Sequence, residues 1–511
     1  LYQFAYAQYK NEKYEDAIKS FKEFSVVRDS LGQNALFALA DCYLLTDQKD
    51  NARSAFQAAA SAGFDPFIVE ASTFNYAKLS YELKYHNASI TTLEQFLKDY
   101  PSSAYRNEAE ELLTEALLTS KNYEKAIKII EGFDTKSNRI KQAYQQVAYY
   151  RALELFADRK IKASAELVKK SLKYPIDQSI TAKAYFLRAE VQFIEKDYEG
   201  AISDYNSFSQ LAQLNSIVEA NASPFKASYG LGYSYFKLKD YQGAIPHFQE
   251  MQKSYNPSKA GQADELLFAD GSLRAGDCYF MIKNYEAAIS AYNVVLDRRG
   301  SGKDYALLQK SLVLGLQKNY QSKLNSLSSL LSDYPNSVYA DQALFEKGRT
   351  FKDLSQNQNA LETFKRLIDS YPNSSFRPKS MIQAGVIYYR MGNTEKALNW
   401  FDQVVVNYPN SDASKEALTG IKEIHFEAGN PAAFYDYLDE QDGITYSPSE
   451  KDSTLYLTAY EKYQLGETEE ALNDFNQYIT SFPNGFFVLP AHNYRAAIHY
   501  SNESFDKALQ D

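Results

Sequence analysis

Along most of the chain, apolar residues recur at spacings of three and four, stop at a short polar link, and resume. In "ALETFKRLI", Leu361, Phe364, Leu367 and Ile368 fall on one face, which is the spacing of an amphipathic helix rather than the alternation of a strand. The pattern predicts units of two helices. Links such as "LKD", "EKD" and "MGN" separate them, where a Gly or Asn closes the first helix and a short loop makes the pair antiparallel.

The units repeat. A small residue is followed after eleven or twelve residues by an Ala, and four further on by an aromatic or apolar residue, as in "GYSYFKLKDYQGAIPHF". With the Ala as ruler, the copies fall at Ala17, Ala52, Ala88, Ala126, Ala163, Ala201, Ala244, Ala288, Lys323, Ala360, Ala397, Phe434, Ala471 and Ala508, Lys323 and Phe434 marking degenerate copies. From Lys323 to Ala508 the gap is 37 residues every time. The small residue of the first helix (Gly232, Gly276, Gly348, Gly385) is expected to meet the Ala of the second where the helices cross, since a large side chain there would hold the backbones apart. "YPNS" at 334–337, 371–374 and 408–411, echoed by YPSS at 100–103 and FPNG at 482–485, keeps the same rhythm. Its Pro ends the second helix, and its Asn or Ser is expected to cap the next unit.

This pattern resembles the tetratricopeptide repeat (TPR) family. The likeness is carried by the small residue, the aromatic that opens the second helix (Tyr14, Tyr123, Tyr198, Tyr241, Tyr285), the Ala, the aromatic four on (Phe21, Phe56, Tyr205, Phe248, Tyr292, Phe364, Phe401, Phe475) and the terminal Pro. It covers essentially the whole chain and implies an all-α, right-handed α-solenoid of about fourteen TPR-like helix-turn-helix repeats. The period exceeds the family's ~34 residues, and YPNS stands where the common form has an acid before the Pro. Both features resemble TPR proteins of the bacterial cell envelope, of the Tol-associated periplasmic and outer-membrane-assembly lipoprotein types, which implies a periplasmic or outer-membrane-associated location. Segments 209–225 and 254–268 lengthen the rhythm and 297–304 forms a glycine-containing connector. The chain thus reads as an N-terminal array (1–208), repeats with longer inter-repeat segments (209–304) and a regular C-terminal array (305–511).

Composition narrows the partners. Apolar residues make up 45% and the net charge is -10, enough apolar surface for a continuous core and a poor match to nucleic acid or anionic lipid. No stretch reaches the ~18–20 apolar residues of a spanning helix. Cys42 and Cys278 are too few for a disulfide framework or a cysteine-built zinc site, and their shared slot reads as a small buried filler. The chain starts at Leu1 and stops inside a helical pattern, so it is expected to be a processed or partial chain.

No catalytic constellation emerges, and no cofactor or metal is expected. "RRGSGKD" at 298–304 fails as a phosphate loop because Asp304 replaces the Ser or Thr and Asp297 the first Gly. None of His86, His247, His425, His492 and His499 forms a metal-binding motif. The candidate site lies on the first helices, which in the TPR family line the concave face. Three repeats carry aromatics there at i, i+4 and i+7: Tyr2, Tyr6, Tyr9; Tyr229, Tyr233, Phe236; and Tyr456, Tyr460, Tyr463. Such spacing forms one stripe, and Tyr suits an adaptable protein interface. Asp277, Glu190 and Glu423 at related positions argue against a peptide-carboxylate clamp. The expected function is a non-catalytic scaffold that grips a protein or peptide segment in a largely uncharged groove. A glycan-binding outer-membrane lipoprotein with TPR-like helices, or the regulatory arm of a larger enzyme, are the alternatives.

Overall fold

The computed structural model describes residues 1–25, 28–215, 222–441 and 444–511. Part of the long segment 209–225, residues 216–221, therefore lies outside the described residues. The described residues form 28 helices, from Tyr2–Lys10 to Phe505–Ala508, and no strand. Taken in order they fall into fourteen consecutive pairs, one for each sequence unit. The chain falls into two compact units, Leu1–Ala287 and Ala288–Asp511. Within each, every pair packs on its neighbours, so the core is a continuous row of clusters rather than one centre.

The helix-helix turn is the most constant feature. Each pair has one residue of positive φ at this point, such as Lys84 (φ 66), Lys121 (φ 57) and Lys239 (φ 63). Only Gly392, Gly429 and Gly466 are the glycines the sequence suggests; the other eleven pairs use Lys, Glu, Asp, Arg or Ser. The backbone bond from Tyr85 N–H to Ser80 C=O, with Lys84 N–H to Tyr81 C=O, closes the helix end, and this capping pattern repays the strained residue.

The ruler position is shut off from solvent at Ala17, Ala52, Ala126, Ala201, Ala244, Ala288, Ala360, Ala397 and Ala471. In two repeats it is displaced by one residue: Ser89 and Ser164 are fully buried where Ala88 and Ala163 were expected, because the slot is the fourth residue of the helices His86–Asp99 and Ile161–Leu172. Lys323 fills the slot in a degenerate copy and is paired with Glu346 at 2.8 Å. The glycines opposite do not primarily meet the Ala. A Cβ on Gly348 would lie 2.6 Å from Phe364, and one on Gly232 2.7 Å from Phe248. The notch left by the missing side chain therefore receives the aromatic ring four residues after the Ala. Phe401 sits between two such notches, 2.7 Å from a Cβ on Gly385 and 2.8 Å from one on Gly420 of the next repeat.

The YPNS serine joins repeats rather than simply capping a helix. Ser337 donates to Asp304 and Ser374 to Asp341, each at 2.6 Å, and Ser103 donates to Glu70 at 2.5 Å. Each serine oxygen also accepts the amide two residues on, from Tyr339, Phe376 or Tyr105. The acid stands 33 residues earlier, at the start of the preceding repeat's first helix. In FPNG the hydroxyl is missing, and Asp452 accepts the Phe486 amide directly at 2.8 Å. Only Ser411 acts as the expected cap, accepting from Ser414 N–H at 3.0 Å, since Pro378 occupies the place of the acid. Asp304, which breaks the phosphate-loop pattern, is thus a clasp residue.

Two substitutions test this packing through the urea unfolding midpoint. Gly385→Ala should destabilise by about 1–3 kcal/mol, because Phe401 is held on its far side by Gly420 and cannot retreat, although the same change on an open helix surface stabilises by about 1 kcal/mol. Lys84→Gly should stabilise by about 1 kcal/mol by relieving the left-handed backbone.

Candidate functional site

The first helices of four successive repeats in the unit Leu1–Ala287 line a cavity of about 470 Å³. Helix Asn138–Ala157 supplies Tyr149, Leu153 and Phe156; helix Gln178–Ile194 supplies Lys183, Phe186, Leu187 and Glu190. Lys226 and Tyr229 come from helix Pro224–Lys237, and Leu267 from helix Gln262–Met281. The register explains the convergence. The small residue of each first helix stands twelve before the ruler, at Ala152, Ala189 and Gly232. The slots three before, one after and four after it then hold Tyr149, Leu153, Phe156; Phe186, Glu190, Phe193; and Tyr229, Tyr233, Phe236. On a helix these slots form one stripe, so stacking three repeats lays three stripes side by side.

Charge enters this apolar wall in a controlled way. Glu190 accepts a 2.5 Å hydrogen bond from the Tyr205 hydroxyl of its own repeat. Burial pushes its carboxyl above the usual carboxylate range, against the opposing pull of that hydroxyl and of the Lys226 ammonium. Lys226 lies 3.7 Å from Asp264, and Lys183 is 9% exposed. Beside the groove, Arg188 holds the buried Asp204 through two bonds of 2.5 and 2.6 Å. The expected largely uncharged groove is therefore corrected: the ammonium groups of Lys183 and Lys226 join the carboxyl of Glu190, an acid the sequence already marks at this position, in bordering it.

The three aromatic triplets have different fates. Tyr229 lines the cavity and donates to Asp270 at 2.9 Å, and burial raises its hydroxyl pKa further than that acid does. Tyr233 packs 5.1 Å from Tyr229 and 6.0 Å from Phe236, and also touches Phe193 of the preceding repeat. Tyr2 and Tyr9 lean on the core, Tyr2 against Phe21 and Phe24, while Tyr9 donates to Asp41; Tyr6 is 41% exposed. Tyr456 is a core residue at 8% exposure, stacked 4.5 Å from Phe487, and is closed to a partner. Tyr460 and Tyr463 each lie 5.0 Å from Tyr494 of the last repeat. Of the three triplets only the middle one reaches the cavity, and only through Tyr229. Tyr149, Leu153, Phe156 and Lys183 also line it, and none of them belongs to a triplet of aromatics. The same i, i+4, i+7 register, read with any apolar residue, would have found the first three.

Both thiols are buried, and desolvation pushes Cys42 and Cys278 up to about 12, in keeping with inert filler residues. Among the described residues no group of three metal-ligating side chains comes together.

The groove carboxyl makes stability depend on pH in a defined direction. With the folded pKa of Glu190 raised above its unfolded value, the folded chain binds the proton more tightly. Its contribution is fully present below the unfolded pKa and is lost as pH rises through the folded one. Glu190→Gln, which still accepts from Tyr205, should therefore raise the urea midpoint at pH 7 and change it little at pH 4; equal shifts at both would contradict the assignment.

Comparison with known families places these repeats. Two family models, both described as tetratricopeptide repeat, match residues 2–66 and 211–259, and residues 270–299, 342–374, 379–411 and 453–485. A comparison with curated proteins finds no match. Among solved structures, the chain is similar to the C-terminal part of a TPR repeat-containing protein from Cytophaga hutchinsonii, at 17% identity over 54% of this chain and 99% of that one, with a TM-score of 0.42. It is also similar to a tetratricopeptide repeat protein from Parabacteroides merdae, at 13% identity over 54% of this chain and 98% of that one, with a TM-score of 0.34. YrrB, described as a TPR protein with an unusual peptide-binding site, shares 17% identity over 43% of this chain and 99% of its own, with a TM-score of 0.32. The small residue, the ruler slot, the aromatic and the paired helices of the structure agree with the matched models: the matched residues are tetratricopeptide repeats.

Proposed function

We propose that the chain is a non-catalytic scaffold that seats a segment of a partner protein in the groove formed by the helices at 138–157, 178–194, 224–237 and 262–281. The observation that carries this reading is the cavity of about 470 Å³ built by equivalent slots of successive repeats. Its apolar walls would bury anchoring side chains of an extended or helical segment. Lys183, Lys226 and Glu190 at its border would fix the segment's direction, as a few polar groups do in mostly apolar sites. The family, whose repeats stack to expose long binding surfaces, supports the same role. We place this role in the bacterial cell envelope, periplasmic or attached to the outer membrane, on the strength of the 37-residue period and the YPNS joint.

A photo-reactive phenylalanine analogue placed at Leu153 in cells should yield discrete protein adducts that vanish when Phe186→Asp is added. The same group at Gln57, exposed on helix Lys49–Ala62, should yield none of them. No adduct from Leu153, or the same adducts from both positions, would remove the groove reading. Cell fractionation tests the location separately, since recovery of the native protein in the cytosol would contradict it.

A further inference from the structure

The unit Ala288–Asp511 holds a second concavity, unrelated to the groove, on helices Thr394–Asn407, Asp412–Glu427 and Pro431–Asp439. Its volume is about 490 Å³. Its lining includes Trp400, the chain's single tryptophan, with the indole half-buried. Glu395 and Asp402 stand at i and i+7 on the same helix and so share a face, and both line the cavity. Tyr437, opposite, donates its hydroxyl to Asp402 at 3.0 Å, which holds one carboxylate in place. Lys396, the cation at the rim, has its ammonium 5.4 Å from the centre of the Tyr388 ring.

The degenerate repeat accounts for the opening. Phe434 fills the slot that most repeats give to Ala, and the second helix Pro431–Asp439 has nine residues where its neighbours Thr394–Asn407 and Thr468–Ser481 have fourteen. The surrounding charge is mainly acidic, with Lys396 in the lining and Lys422 and Lys451 paired to Glu450 and Asp439. From Glu423 to Glu450 the sequence carries acids, Glu427, Asp436 and Glu440 among them, and no Lys or Arg.

We propose that this pocket receives an arginine side chain from a basic segment of a partner protein. A tryptophan face is the best aromatic partner for a cation. A guanidinium is planar and weakly hydrated, so it stacks on the indole while its fork reaches a carboxylate such as Asp402. The acidic surroundings would steer a basic segment toward the pocket and repel an acidic one. The inference does not rest on the groove reading, because pocket and groove lie in different units and share no residue.

Trp400 is its own reporter, since no other tryptophan contributes to the emission of the full chain. A short arginine-glycine peptide, acetylated and amidated, should change that emission saturably, and a matched glutamate-glycine peptide should not. Glu395→Gln with Asp402→Asn should weaken binding about tenfold or more, with the unfolding midpoint recorded as a check that the fold is intact. Neutralising the remote, exposed Glu469 and Glu470 to Gln should leave affinity within about twofold, as exposed charges contribute little. If the double variant fails to fold, Trp400→Leu followed by anisotropy of a labelled peptide gives the same comparison. No saturable change, an equal response to the acidic peptide, undiminished binding by the pocket variants, or a response to neutral oligosaccharides instead would each overturn the proposal.

Discussion

An aromatic ring set into the space of an absent side chain, in the repeats whose first helix carries glycine at the small slot, is the contact on which the rest of this structure depends. Phe248, Phe364 and Phe401 each fill a notch at a glycine of their own first helix, and all three are 0–2% exposed. Burying such a ring is worth about 2–3 kcal/mol, and its size fixes how far apart the two helices stand. Phe401 adds the next step, because its other edge meets Gly420 of the following repeat. A ring that contacts both its own and the next first helix sets the spacing between first helices, and with it the width of any groove they line.

Two further devices keep that spacing in register. The left-handed residue at each turn keeps one fixed place ahead of the ruler slot, and the clasp from the motif serine to an acid 33 residues earlier ties one repeat's entry to the preceding first helix. Gln33 and Gln145 offer a side-chain version, each buried and each accepting the amide of the Asp that opens the next repeat, at 2.7 and 2.8 Å. Equivalent slots therefore meet across repeats. Side chains that are ordinary on one helix, such as Leu153, Phe186 and Tyr229, become a binding surface only when stacked.

The sequence displays the repeat clearly because its physical causes are local: apolar spacing, a small residue, and a Pro that ends each helix. It hides whatever depends on three-dimensional neighbours. Ala88 and Ala163 mark the ruler one residue early, since a serine can fill a buried slot as well as an alanine. The turns resist a search for Gly because eleven of them place charged or polar side chains in the left-handed region, where their exposed heads stay in water. Tyr456 and Tyr229 occupy the same slot of their repeats, yet Phe487 covers the first while the second faces a cavity. Which aromatic is open is decided by the next repeat, and no spacing rule within one helix contains that information.

The functional account rests on the claim that the stacked first helices at 138–281, and not the second helices behind them, form the partner surface. Hydrogen–deuterium exchange of the full chain tests this most directly, run with and without a saturating peptide selected from a random library. The account predicts slowed exchange concentrated in residues 149–157, 183–190 and 222–229. Protection confined to second helices such as Ile161–Leu172 and Tyr241–Ser254, with the groove segments unchanged, would contradict it.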